Sequence, residues 1–232
     1  VNRMTAWLVA NDPEQELGLS SLGLTSLPES LPASLHILNI QDNRLTSLPE
    51  NLPASLQILD VPDNLLTSLP ESLPASLHIL NVQDNRLTSL PESLPASLKK
   101  LEVQDNRLTS LPENLPASLQ FLDADDNQLT GLPANLPASI ENLHVARNRL
   151  TSLPESLPAS LEILNVMGNR LTSLPEHILT TLGSGCDVML SNNPLSDRVR
   201  NHLDAAANAA DYNGPTVSFS MANASDTTPA RP

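Results

Sequence analysis

Cysteine is almost missing from this 232-residue sequence. One residue excludes an internal disulfide framework and any Cys-rich zinc site. Aromatic residues make up only 2%, so aliphatic side chains must fill whatever core forms. Basic residues are scarce as well: 12 Lys and Arg stand against 26 Asp and Glu, for a formal net charge of −14. That balance leaves no cationic excess for phosphates and excludes nucleic acid as the main partner. No run of about 18 apolar residues occurs, so no helix is expected to span a membrane, and the N-terminus carries no signal-peptide pattern. What the chain does have is 40% hydrophobic residues and 21 prolines, in a length that suits one domain or two small ones.

The prolines are not scattered. Asn43, Asn64, Asn85, Asn106, Asn127, Asn148 and Asn169 recur every 21 residues, each inside the same phrase, for example SLHILNIQDNRLTSLPENLPA from Ser34 to Ala54. Most of the prolines fall in this phrase as pairs four residues apart, such as Pro49/Pro53 and Pro112/Pro116. A fixed period of this length marks a solenoid, in which each unit buries its apolar face only against its neighbours. In the second full repeat Leu56, Leu59, Val61, Leu66, Leu69 and Leu73 are expected to point inward, each burial worth about 1.5–3 kcal/mol. The alternation around Ile58, Leu59, Asp60 and Val61 predicts a short strand stacked in parallel on the next, about 4.8 Å away. The recurring Asn turns inward after the strand and pairs with backbone groups that a buried loop would otherwise leave unsatisfied. The proline pair forbids a helix on the return path and imposes extended or polyproline-like backbone.

The ends depart from the frame, as solenoid caps do. Val1 to Ala10 reads as a short amphipathic helix, and Leu22 takes the Asn slot in an irregular first repeat. Near the other end Asn193 fills that slot, 24 residues after Asn169, with a helical turn expected over Glu176 to Leu182. Ser196 to Ala210 reads as a Ser-capped helix, and Thr216 to Met221 as a closing strand. The expected division is a helical cap over 1–15, about nine repeats over 16–195, a C-terminal cap over 196–221 and a disordered linker or tail over 222–232.

The frame L-x-x-L-x-(I/V)-x-x-N-x-L-x-x-L-P-x-x-L-P resembles the leucine-rich repeat in its short bacterial LPX form. The phrase NPLSDRVRNHLDAAANAADYNGPTVSFSM, together with ELGLSSLGLTSLP at the front, resembles the repeat domains of type III secreted effectors of the novel E3 ubiquitin ligase (IpaH-like) family. The resemblance implies an α/β solenoid: a leucine-rich repeat horseshoe with short parallel strands on its concave face and an extended convex side. It implies that the domain selects a host protein in the host cytoplasm or nucleus and restrains the catalytic ligase domain of the same full-length chain, with no cofactor or metal. An LPX-type effector acting by protein binding alone is the alternative.

Strand side chains alternate between core and concave face, which defines four outward columns. The first runs Glu16, Ile37, Ile58, Ile79, Lys100, Phe121, Asn142, Ile163. The second runs Gly18, Asn39, Asp60, Asn81, Glu102, Asp123, His144, Asn165, Met189. The third runs Ser20, Gln41, Pro62, Gln83, Gln104, Asp125, Ala146, Met167. The fourth holds Asp42, Asp63, Asp84, Asp105 and Asp126 before switching to Arg147 and Gly168. The framework is nearly identical from repeat to repeat, so departures within these columns carry the recognition information. They concentrate between Lys99 and Met167, around one outward aromatic, Phe121, and a polar surround is what a protein-binding hot spot looks like. The candidate binding set is therefore Ile58, Asp60, Ile79, Asn81, Lys100, Glu102, Phe121, Asp123, Asp125, Asn142, His144, Arg147, Ile163, Asn165 and Met167.

Stacked carboxylates in the fourth column repel one another and attract a basic partner. Arg44, Arg86, Arg107, Arg149 and Arg170, two residues further on, are expected to neutralise much of that field and leave a solvated ladder. Cys186 opens the last repeat strand with no His beside it in sequence, which marks a structural thiol rather than a nucleophile. The five His never pair at metal-ligand spacing, and no phosphate loop, Ser-His-Asp set or HExxH motif occurs. The residues point to a binding module.

Overall fold

The computed structural model describes residues 16–219. The helix expected over Val1 to Ala10, Met221 at the end of the expected closing strand, and the 222–232 tail lie outside the described residues. Ten strands form one parallel sheet in strict chain order: β1 (Leu17–Gly18), β2 (Ile37–Asn39), β3 (Ile58–Asp60), β4 (Ile79–Asn81), β5 (Lys100–Glu102), β6 (Phe121–Asp123), β7 (Asn142–His144), β8 (Ile163–Asn165), β9 (Asp187–Met189) and β10 (Thr216–Ser218). The register is the repeat itself, with Leu38, Leu59, Leu80, Leu101, Leu122, Leu143 and Leu164 in one line across the sheet. These leucines are fully buried, and the flanking residues of each strand are half-exposed in nearly every repeat. The fold is a leucine-rich repeat solenoid.

Two local devices bracket the three-residue strands β2 to β8. Ahead of it, the second proline opens a turn in which its carbonyl accepts from the Leu N–H three residues on, as in Pro53 to Leu56 (3.0 Å) and Pro116 to Leu119 (3.0 Å). Behind it, the backbone passes through the left-handed region at Asp42, Asp63, Asp84, Asp105 and Asp126, with φ between 51° and 54°. Asp tolerates that conformation far better than branched or bulky residues do. The Asp column is thus a backbone requirement of the bend. Arg147 keeps φ at 51° in the same slot, and Gly168 takes over at 65°.

Two hydrogen-bond ladders tie neighbouring repeats together. Each Asn amide donates to a carbonyl of the preceding repeat and accepts from its backbone: Asn64 Nδ2 donates to the Ile40 carbonyl (3.0 Å), and Leu45 N–H donates to Asn64 Oδ1 (3.0 Å). Asn85, Asn106, Asn127, Asn148, Asn169 and Asn193 repeat the pattern. Leu22, in the slot ahead of Asn43, is 45% exposed, and its own N–H donates to Asn43 Oδ1. The second ladder uses Ser55, Ser76, Ser97, Ser118 and Ser139 of the Pro-Ala-Ser turns, whose hydroxyls serve two carbonyls of the preceding repeat, as Ser97 does with Ala75 and Leu77 (both 2.7 Å), while Ser160 serves one. That Ser is framework, a role the period alone does not disclose.

Packing departs from the sequence expectation at one framework position. Leu73 is only partly buried, like Leu52, Leu94 and Leu136, because the proline-side segment lies over the core edge. At the C-terminal end, α1 (Ile178–Thr181) replaces the extended return path, and α2 (Asp197–Ala207) covers the end of the core with Leu203. Ser196 caps α2, its Oγ accepting from Val199 N–H at 3.4 Å. Strand β10 then pairs in parallel with β9.

Candidate functional site

The strand register brings the predicted columns into contact. Ile58, Ile79, Lys100, Phe121, Asn142 and Ile163 are successive partners across the sheet, as are Asp60, Asn81, Glu102, Asp123, His144 and Asn165. In the middle three strands the departures from the frame touch one another. Lys100 Nζ lies 3.0 Å from Glu102 Oε1 and 5.0 Å from the centre of the Phe121 ring. On its other side Phe121 meets His144, with ring centres 5.6 Å apart. A carboxylate, an ammonium and two rings thus form one continuous strip.

Many second-column residues have a local duty. Asn39, Asn81, Asp123 and Asn165 each accept, through Oδ1, the N–H two residues on, at 3.1–3.3 Å. This is turn chemistry, which Asn and Asp supply readily. Asn165 is moreover buried, so it presents little to a partner, in contrast to the sequence expectation. Asp60 cannot make this bond because Pro62 has no N–H; its carboxylate accepts instead from Asn81 Nδ2 at 2.9 Å. Glu102 and His144 also stand outside the turn pattern. Among the polar members of the column, Asp60, Glu102 and His144 thus bond no backbone N–H of the turn.

Asp125 accepts from Ala146 N–H at 2.6 Å, and Arg147 chelates Asp126 through Nε at 2.7 and 2.8 Å. Met167 is half-exposed at the edge of this group. Neutralisation of the Asp column by Arg44, Arg86, Arg107, Arg149 and Arg170 is not observed. Among the described residues ion pairs form only at Lys100 and Arg147. Those other arginines are exposed, where solvent screens a weak surface pairing. The four columns consequently hold ten Asp and Glu against two permanent cations, and both cations are already engaged.

Burial raises the pKa of Asp60, Asp123 and Asp125 above the ordinary Asp value of 3.8. The hydrogen bonds from Asn81, Asp125 N–H and Ala146 N–H oppose that shift only in part. In the window above 3.8 these carboxyls hold protons in the folded chain that the unfolded chain has released. Stability therefore falls as the pH rises through that window and recovers on acidification towards its lower edge. The melting temperature is expected to rise when the pH is lowered from about 7 to about 4.5 at low salt. The Asp60→Asn/Asp123→Asn/Asp125→Asn variant should show a flatter profile; an unchanged slope would assign the effect elsewhere.

One row escaped the sequence reading. His78, Lys99, Gln120 and Glu141, immediately before their strands, line a shallow groove of about 460 Å³ together with Ile79, Lys100, Phe121 and Asn142. Their variability inside an otherwise constant S-L-x-x-L phrase is the signal that could have found them. A larger concavity, about 770 Å³, lies at the other end of the molecule between α1 and α2, lined by Leu174, Ile178, Leu179, Val199, Arg198 and His202. It is a seam of the cap, away from the variable columns.

Cys186 is 1% exposed, and burial, with Asp187 beside it, pushes its thiol up to about 11. A thiol in that state is a poor nucleophile. Maleimide is expected to label Cys186 only after unfolding; stoichiometric labelling of the native chain would contradict this placement. Among the described residues no three His, Cys, Asp or Glu side chains gather into a metal-holding group, and no helix is long and apolar enough to cross a membrane.

No protein-family model matches the chain, and no curated protein matches it in sequence. Solved structures do. A Shigella effector leucine-rich repeat domain is 35% identical with a TM-score of 0.71, over 96% of this chain and 88% of its own length. YopM of Yersinia pestis, a leucine-rich effector protein, is 32% identical with a TM-score of 0.63, over 83% of this chain and 64% of its own. The functional domain of InlJ from Listeria monocytogenes is 25% identical with a TM-score of 0.64, over 78% of this chain and 40% of its own. The repeat frame, the parallel stack and the extent of the Shigella match together place this chain in the family of leucine-rich repeat domains of bacterial effectors.

Proposed function

We propose that this chain is the target-selecting domain of a secreted effector ubiquitin ligase, holding a host protein on its strand face. The observation that carries this reading is the Glu102–Lys100–Phe121–His144 strip. It interrupts a framework otherwise repeated almost unchanged, at positions that neither the core nor the bend requires. Ligase chemistry is assigned to a separate helical domain with its own Cys, as the family resemblance implies, because Cys186 is buried as a core residue. In that scheme the repeat domain also restrains the catalytic domain until a target binds, and delivery is by type III secretion into the host cytoplasm or nucleus.

Phe121→Ala with His144→Ala is expected to weaken target pulldown more than tenfold, the scale of losing an interface anchor. Both side chains are half-exposed, so the melting temperature should fall by no more than a few degrees, roughly the shift for 1 kcal/mol or less. Unchanged binding would remove the strand face from consideration.

The second reading is an LPX-type effector that acts by protein binding alone, since the described residues hold a binding surface and a core-buried Cys186. The reading frame downstream of Pro232 separates the two. A helical segment with a reactive Cys supports the ligase; a stop codon soon after Pro232 supports the scaffold.

A further inference from the structure

We infer that the partner presents a basic segment of protein chain, with an arginine or lysine set against Phe121 and His144 and paired with Asp123 and Asp125. This deepens, and rests on, the strand-face reading.

Charge complementarity is the first ground. The outward columns carry ten carboxylates and two permanent cations, and those cations are already engaged by Glu102 and Asp126. Asp123 makes one hydrogen bond, to its own bend, and keeps its second oxygen for a partner. Asp125 is bound by one N–H, and the Arg147 guanidinium stands off at 3.9 Å. These two carboxylates lie in a half-buried setting, where a counter-charge gains more than it would in open water.

The aromatic strip is the second, independent ground. The Phe121 ring already accepts a cation, the Lys100 ammonium at 5.0 Å, and such contacts strengthen as water is excluded. Phe121 pairs in register with Asn142 and Asp123 with His144 on the adjacent strand. Phe121 and Asp123 also lie two residues apart on β6, on the same face, with backbone positions about 7 Å apart. An arginine can lay its guanidinium plane over a ring and turn its fork of N–H donors to a carboxylate, a combination suited to this spacing. Beside it the first column offers Ile58, Ile79 and Ile163, half-exposed, to apolar residues of the same segment.

The test is selection of a random dodecapeptide display library on the full 232-residue chain, with each winner remeasured by fluorescence polarisation on variants. The expected winners are rich in Arg and Lys and lose at least tenfold affinity on Asp123→Asn/Asp125→Asn. They should lose less than twofold on Asp63→Asn/Asp84→Asn, an equal charge change at bend positions where Asn is tolerated. They should also be lost on Phe121→Ala/His144→Ala. A cooperative melt of every variant confirms folding. Winners that depend on Phe121 and His144 yet lack basic residues overturn the basic partner and leave the strand-face reading standing. Winners indifferent to Phe121 and His144 overturn both. Equal losses on the two Asp→Asn pairs, or no enrichment of basic peptides, overturn the basic partner at this site.

Discussion

Asn106→Ala is expected to lower the unfolding free energy by about 2–4 kcal/mol, a large share of what a domain of this size holds in reserve. The Asn106 amide donates to the Val82 carbonyl at 2.9 Å and to two carbonyls of its own repeat, and its oxygen accepts from Leu87 N–H at 2.9 Å. Alanine leaves the Leu87 N–H buried without a partner, at about 1–3 kcal/mol, and takes one of two bonds from the Val82 carbonyl, to which Asn85 Nδ2 still donates at 3.1 Å, at about 1 kcal/mol. Urea denaturation reads the loss as a lower midpoint. Asn193→Ala should cost clearly less: its site is only part-buried and lies at the last repeat, with fewer neighbours to unsettle. Equal costs at the two positions would mean that the ladder is not what couples the repeats.

Leu122→Ala should be comparably severe, at about 2–5 kcal/mol, the range for deleting a fully buried Leu. Leu122 is wholly inaccessible and sits in register between Leu101 and Leu143. The cavity it leaves opens on both neighbours, and a solenoid has no second core to compensate. Leu73→Ala is the contrast: its side chain is only partly buried, so a smaller loss of roughly 1–2 kcal/mol is expected. The sequence ranks Leu73 and Leu122 alike, so these two substitutions separate the observed packing from the repeat pattern.

That contrast shows how far the amino-acid order can be followed. The stack, its register, the Asn ladder and the capping helix with its Ser are all legible, since a fixed period forces equivalent residues into one line and leaves few alternatives. Most of the outward columns follow from the same period, although Pro62, Ala146 and Asn165 are buried in spite of it. What the period conceals is why a given polar residue is there. The Asp column reads as a charge ladder, yet its φ values near +50° make it a bend requirement. Asn81 and Asp123 read as recognition residues, yet each spends an oxygen on its own backbone. The arginines two places on read as neutralising partners, yet they stand exposed and form no ion pair. Conversely, the row of His78, Lys99, Gln120 and Glu141 went unnoticed because it precedes the strand, and only the turn at each Pro-Ala-Ser-Leu tips it towards the groove. Asp60, Glu102, Phe121 and His144 are free of these local duties, and on the proposed reading they recognise the partner together with the second oxygen of Asp123 and with Asp125.

Hydrogen–deuterium exchange of the chain with and without its captured target tests the central claim, that a partner is read by the strand face. Slowed exchange is predicted in β5 to β7 and in the bends after them, around Asp105, Asp126 and Arg147, with the proline-side segments unchanged. Protection confined to the proline side, or to the seam between α1 and α2, would contradict it.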